Sequence, residues 1–128
     1  MPGPKREYGY YDNQTPEAVI MEFSETFKAL GDETRLRILN LLSKRELCVY
    51  QISHVLQLKE PNVSKHLNRL KYSGLISCRK VCQWCYYRIN EKFLDQNGML
   101  FDYLLRQWSR EKRFIEDQQK ADILFNCR

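Results

Sequence analysis

Histidine is scarce in this chain. Two residues, His54 and His66, are all that 128 positions contain. So few imidazoles leave little room for histidine-based metal or acid–base chemistry. No glycine-rich phosphate loop occurs, and no carboxylate pair sits in a recognisable catalytic motif. A Cys82-x-x-Cys85 pair exists, but without the strand-to-helix setting of redox enzymes. Together these absences argue against an enzyme. No apolar run approaches the roughly 20 residues that span a bilayer, so no membrane partner is expected. The opening Met1-Pro2-Gly3-Pro4-Lys5-Arg6-Glu7 has no apolar stretch behind its charges. It does not read as a secretory leader, and the expected address is cytoplasmic. Five cysteines, an odd number with no export signal, argue against a disulfide framework. There is no internal repeat and no low-complexity tract.

What is present describes one globular domain. Hydrophobic residues make up 43% and charged residues 29%, enough to build a core. The expected division is an N-terminal arm over 1–14, a folded domain over 15–120 and a tail over 121–128. The formal charge of +5 is unevenly spread. Residues 59–88 hold seven bases (Lys59, Lys65, Arg69, Lys71, Arg79, Lys80, Arg88) and one acid, Glu60. The rest of the chain is nearly balanced. Such a block is the electrostatic footprint of phosphate binding, or else a solvated basic face.

Capping signals and apolar spacing place the elements. Thr15-Pro16-Glu17 reads as a helix start. Ile20, Phe23, Phe27 and Leu30 follow as one stripe, which Gly31 ends. Asp32 caps a second helix carrying Leu36, Ile38, Leu39, Leu41 and Leu42. A third short helix runs from Val49 to Leu56. Pro61 starts a fourth, with Val63, Leu67 and Leu70 facing inward and Asn62, Lys65, His66 and Arg69 on the other side. Two short helices with a tight link, the second bearing a basic face, describe a helix-turn-helix. Residues 75–80 and 84–89 then read as a hairpin turning near Val81-Cys82-Gln83. The remainder is helical, with a break at Asn97-Gly98 and an apolar face of Leu100, Leu104, Trp108 and Ile115. The fold class is mainly α with a small β-hairpin, in the order α-α-α-α-β-β-α.

Phe27-Lys28-Ala29-Leu30-Gly31-Asp32-Glu33-Thr34-Arg35-Leu36-Arg37-Ile38-Leu39 resembles the opening signature of the ArsR/SmtB winged-helix repressors. Val63-Ser64-Lys65-His66-Leu67, with Leu70 and Gly74-Leu75-Ile76, resembles their recognition-helix signature. Trp84-Cys85-Tyr86-Tyr87-Arg88-Ile89 is similar to the returning strand of their wing. The resemblance spans about residues 17 to 115. It implies a winged helix-turn-helix that binds double-stranded operator DNA as a homodimer, with Phe23, Phe27, Leu104 and Trp108 suited to the dimer contact or else to closing the monomer's own core. Asn62 and His66 are then candidates for base edges, and Ser64, Lys65 and Arg69 for phosphates. Arg79 and Lys80 would act from the wing. Ser64 reads equally as a helix-start hydroxyl, and His66 as a half-packed histidine.

The resemblance also implies an effector that releases DNA. Arsenic sensors of the family carry Glu-Leu-Cys-Val-Cys-x-x-Cys at the third helix. Here the chain reads Glu46-Leu47-Cys48-Val49-Tyr50-Gln51-Ile52-Ser53, and only Cys48 matches. The family's zinc site on the last helix needs histidines that are absent there. The distinctive thiols, Cys78, Cys82 and Cys85, lie in the hairpin, where Cys78 is expected directly opposite Cys85. With Cys48 they form the candidate ligand set for arsenite, antimonite or a soft divalent metal. A reversible disulfide would instead make a redox or reactive-sulfur sensor, and plain packing remains open. A ligand-independent DNA-binding or architectural module is the reading from another class. No catalytic cofactor is expected.

Overall fold

The computed structural model describes residues 16–125. The expected arm (1–14), the Thr15 cap, the side chain of Ile20 and Cys127 lie outside the described residues. Seven helices and one hairpin follow in order: α1 (Pro16–Leu30), α2 (Glu33–Leu42), α3 (Val49–Leu56), α4 (Glu60–Tyr72), β1 (Ile76–Val81), β2 (Trp84–Ile89), α5 (Glu91–Gln96), α6 (Gly98–Trp108) and α7 (Lys112–Phe125). The four helices before the hairpin match expectation. The single helix expected after it is three, and the first break falls at Asn97-Gly98.

The punctuation works as its chemistry dictates. Asp32 Oδ2 accepts from the Arg35 backbone N–H at 3.0 Å and caps α2. Pro61 sits in the first turn of α4, where its missing N–H leaves no gap. Gly74 follows α4 at φ +83, the left-handed conformation that a helix terminator needs. The link between α3 and α4 is tight because Gln57 also adopts a left-handed φ, +60.

The core forms where the apolar faces of α2, α3 and α4 meet. Ile38, Leu39, Leu41, Ile52, Val55, Val63, Leu67 and Leu70 are all essentially inaccessible. Leu75 and Ile76 carry the core into the hairpin. The hairpin is an antiparallel pair in register Ile76↔Ile89, Cys78↔Tyr87, Lys80↔Cys85 and Val81↔Trp84. Leu47 joins it from outside, exchanging two backbone hydrogen bonds with Tyr87 (3.2 and 2.8 Å). The wing is therefore tied to the residue just before Cys48, the N-cap of α3.

The C-terminal end shows where three expectations fall. Trp108 is buried, stacking on Phe114 at 5.9 Å, so it closes the core of its own subunit. Ile115 is exposed, while Phe114 and Ala121 point inward. The tail expected from residue 121 is part of α7, which packs on α2 and α3 and continues to Phe125. Arg37 on α2 grips Asp117 on α7 with two hydrogen bonds of 2.8 and 2.9 Å, and both side chains are mostly buried. That pairing holds the Arg37 guanidinium above its ordinary pKa. Beside it, Asn40 Nδ2 donates to the Phe114 carbonyl at 3.0 Å. Among the described residues no helix is long and apolar enough to cross a membrane.

Removing one partner of a buried ion pair strands the other. Asp117→Ala is expected to lower the unfolding free energy by about 3 kcal/mol. Urea denaturation measures it, and an unchanged midpoint would show that α7 is held by its apolar face alone.

Candidate nucleic-acid interface

The seam of Val63, Leu67 and Leu70 fixes which side of α4 faces out. Asn62 and Lys65 are exposed near its N-terminus, and Ser64 is half-buried. Free backbone N–H groups at a helix start favour phosphate, and short polar side chains there reach base edges. Asn68, three residues beyond Lys65, is exposed on the same side. Sequence reading passed it over, although the i, i+3 spacing from Lys65 was there to be seen.

Two of the expected contacts are turned inward. The His66 ring leaves 14% of its side-chain surface open and lies against the start of α2. Arg35 Nη1 donates to His66 Nδ1 at 3.4 Å, and Asp32 Oδ2 stands 3.7 Å from that nitrogen. Arg35 meanwhile donates to the carbonyls of Ala29 (2.7 Å) and Lys28 (3.1 Å), tying α1 to α2. His66 is thus half-packed, the plainer of its two readings. Burial pushes its pKa below the usual value, with Arg35 and Lys65 adding to the effect against the pull of Asp32. Arg69 pairs with Glu25 on α1, and Ser73 Oγ donates to the same carboxylate at 2.9 Å. The Ser73 and Arg69 hydrogen bonds hold the Glu25 carboxyl below its normal range.

The wing shows the same pairing. Arg79 Nε donates to Glu46 at 2.8 Å, and the guanidinium sits 5.9 Å from the Tyr86 ring centre. Arg88 pairs with Glu91 at 2.9 Å. Lys80, next to the tip, is exposed. Of the seven bases in 59–88, Arg69, Arg79 and Arg88 are thus offset by acids, all three from outside the segment. Lys59, Lys65, Lys71 and Lys80 remain as exposed lysines around α4 and the wing.

The thiols do not gather as one set. The turn is the two-residue loop Cys82-Gln83, so Cys78 faces Tyr87 and Cys85 faces Lys80. The direct Cys78–Cys85 opposition expected from the sequence is replaced by a diagonal on the same face, since the loop is one residue shorter and centred later. Cys82 is exposed in the turn at φ +58. Cys48 is buried, its N–H donating to Gln51 Oε1 at 3.0 Å. Cys48 and Cys85 line one hollow of about 310 Å³ with Val49, Tyr50, Glu60 and Trp84. Among the described residues, no three His, Cys, Asp or Glu side chains come together as a metal-binding group.

The bacterial regulatory protein arsR family matches residues 32–77, from α2 into β1. The chain is 42% identical over 65 residues to the arsenic resistance transcriptional regulator ArsR1 of Pseudomonas putida, covering 50% of this chain and 51% of that protein. It therefore spans about half the length of that relative. It is 34% identical over 104 residues to the cadmium resistance regulatory protein CadC homolog of Staphylococcus aureus, covering 80% of this chain and 76% of that protein. Among solved structures, the homodimeric winged helix-turn-helix DNA-binding domain of a Mycobacterium bovis protein superposes with a TM-score of 0.64 at 27% identity, covering 77% of this chain and 90% of that chain. The fold is the winged helix-turn-helix, and these relatives are regulators rather than enzymes.

The lowered pKa of His66 makes stability depend on pH. Above the unfolded value of 6.5 the ring is neutral in both states and no penalty arises. As the pH falls below that value, the unfolded chain binds the proton first, so stability is lost until the folded pKa is passed. The stability of the wild type relative to His66→Gln is expected to decline from pH 7.5 to pH 5. Parallel denaturation curves across that range would contradict it.

Proposed function

Because the chain belongs to the ArsR family of DNA-binding transcriptional regulators, we propose that it is a repressor working as a homodimer on a palindromic operator and released by a thiophilic metalloid or metal. The observation that carries the DNA half is the α4 edge of exposed Asn62 and Lys65 with half-buried Ser64, flanked by exposed Lys80 on the wing. Asn62 is assigned to base edges, with Asn68 beside it. Lys65, Lys80 and the Ser64 hydroxyl are assigned to phosphates. His66, Arg69 and Arg79 act through their intramolecular partners, by fixing α4 and the wing.

The dimer is supported by apolar surface that the single chain leaves open. Phe23 and Phe27 on α1 are 58% and 57% exposed, and Met99 on α6 is 89% exposed. Exposed apolar side chains of this kind suit a second copy, and the Mycobacterium bovis neighbour is a homodimer. A repressor on operator DNA acts in the cytoplasm. The effector half rests on the arsenic and cadmium resistance regulators among the relatives and on the chain's own thiols. Release then follows from differential binding, with the liganded dimer fitting its two half-sites less well.

Lys65→Ala is expected to weaken operator binding for every sequence alike and to reduce the salt dependence by about one phosphate contact. Asn62→Ala instead flattens the preference at one base pair, costing about 1–3 kcal/mol. Mobility shifts at several salt concentrations separate the two. Arsenite or cadmium, added with thiols kept reduced, is expected to release the operator. Retention at large ligand excess would refute the effector reading while leaving the DNA reading intact.

A further inference from the structure

We propose that Cys78 and Cys85 form a two-thiol chelate on the core-facing side of the wing, built for a trivalent arsenical or a similar soft electrophile with two exchangeable positions. The proposal rests on the thiophile-released reading above and gives that effector its site.

Strand register is the first support. Cys78 faces Tyr87, and Cys85 lies two residues from Tyr87 on the same strand. Both thiols therefore stand on one face as diagonal neighbours, a spacing that long or soft side chains can bridge. The neighbouring Cys78, with burial, pushes the Cys85 thiol up. Both are half-buried, shielded from bulk water yet open to a small ligand.

Charge is the second support. Lys71 Nζ, from the last turn of α4, stands 3.5 Å from Cys78 Sγ. Lys80 lies directly across from Cys85. Two ammonium groups therefore border the two sulfurs, the electron-rich atoms that a soft electrophile seeks.

The third support is what the pair lacks. No third His, Cys, Asp or Glu joins it among the described residues. Zinc in a closed protein site takes four ligands, so the pair is ill-suited to zinc. A mono-substituted arsenic(III) centre has only two replaceable hydroxyls. Each thiol gives its proton to one of them, two waters leave, and two S–As bonds form with no change in oxidation state. Inorganic arsenite reacts likewise and keeps its third hydroxyl. Cys48 and Cys82 take no part, the first buried at the start of α3 and the second at the far end of the wing.

Phenylarsine oxide, a probe with two exchangeable positions, tests the site on the reduced full-length chain. Intact mass and thiol titration are expected to show one adduct consuming two thiols. It should survive excess glutathione and be stripped by a dithiol. Cys78→Ser and Cys85→Ser are each expected to lose about 100-fold in apparent affinity, because a single thiol forfeits the effective concentration of the second. The alanine versions, checked by circular dichroism, must behave alike. Peptide mapping that puts the adduct on Cys48, Cys82 or Cys127, or an adduct consuming one thiol, overturns the proposal. Operator release is read separately. Release that persists in the Cys78→Ser/Cys85→Ser chain overturns the wing site and spares the thiophile-released repressor. An adduct on the pair that leaves operator bound does the reverse.

Discussion

The rotational setting of α4 is the constraint on which the interface depends. A helix that reads a groove must bury one narrow stripe and present the opposite edge, and an error of one residue swings that edge by about 100°. Val63, Leu67 and Leu70 supply the stripe, all with no exposed surface. An apolar stripe is non-directional, however, and tolerates some rolling. Polar contacts at its middle and its end supply the direction. Midway along it His66 meets Arg35 and Asp32 of the α2 entrance. At its end Arg69 and Ser73 share the carboxylate of Glu25 on α1. Asp32 serves twice, as the cap of α2 and as the acid beside His66, so one residue joins helix initiation to recognition-helix placement.

These clamps reshape the electrostatics. Counting charges along the chain locates the basic excess in 59–88, and the folded protein keeps it there. Yet Glu25 and Glu46 are drawn onto Arg69 and Arg79 from helices and loops far away in sequence. What remains prominent is lysine rather than arginine. Arginine's planar fork is suited to fixed, directional pairing within the fold, while the mobile lysine ammonium is suited to a screened, sequence-independent hold on phosphate. The division of labour is visible in Arg35, Arg37, Arg69 and Arg79, each with a named partner, against exposed Lys65 and Lys80.

Local chemistry made much of this fold legible. Asp32, Pro61 and Gly74 announce helix ends through interactions spanning a few residues, and each does so in the structure. The 3.6-residue spacing of Val63, Leu67 and Leu70 gave the inward face of α4. The hairpin register was harder to read, because a two-residue turn normally advertises itself with Asn-Gly or a similar pair. Cys82 at φ +58 carries no such signal, so the thiols could be assigned to the wing but not to their partners. The C-terminal end was obscured for another reason. The charged run from Arg110 looks solvated, yet the pairing of Asp117 with Arg37, eighty positions earlier, and the inward Phe114 and Ala121 make α7 part of the body. Trp108 misled similarly, as an aromatic on an outer helix that finds its ring partner, Phe114, in the next helix.

The wing is more than a basic flap, since its base is joined to the helix-turn-helix. Leu47 and Tyr87 exchange two backbone hydrogen bonds, and Leu47 immediately precedes the Cys48 cap of α3. Cys78 faces the same Tyr87 across the ladder, and Cys85 flanks it along β2. A chelate across that diagonal would pull on the strand pair at the point where the wing meets α3. It would also place an uncharged arsenic–sulfur unit beside Lys71, whose ammonium is one of the exposed cations bordering α4. A ligand shifts an equilibrium only through interactions that differ between two states. Strand geometry and Lys71 placement are two such differences, both located within the DNA-facing segment. Signal and readout would then share one structural unit, and no long path through the dimer interface would be required.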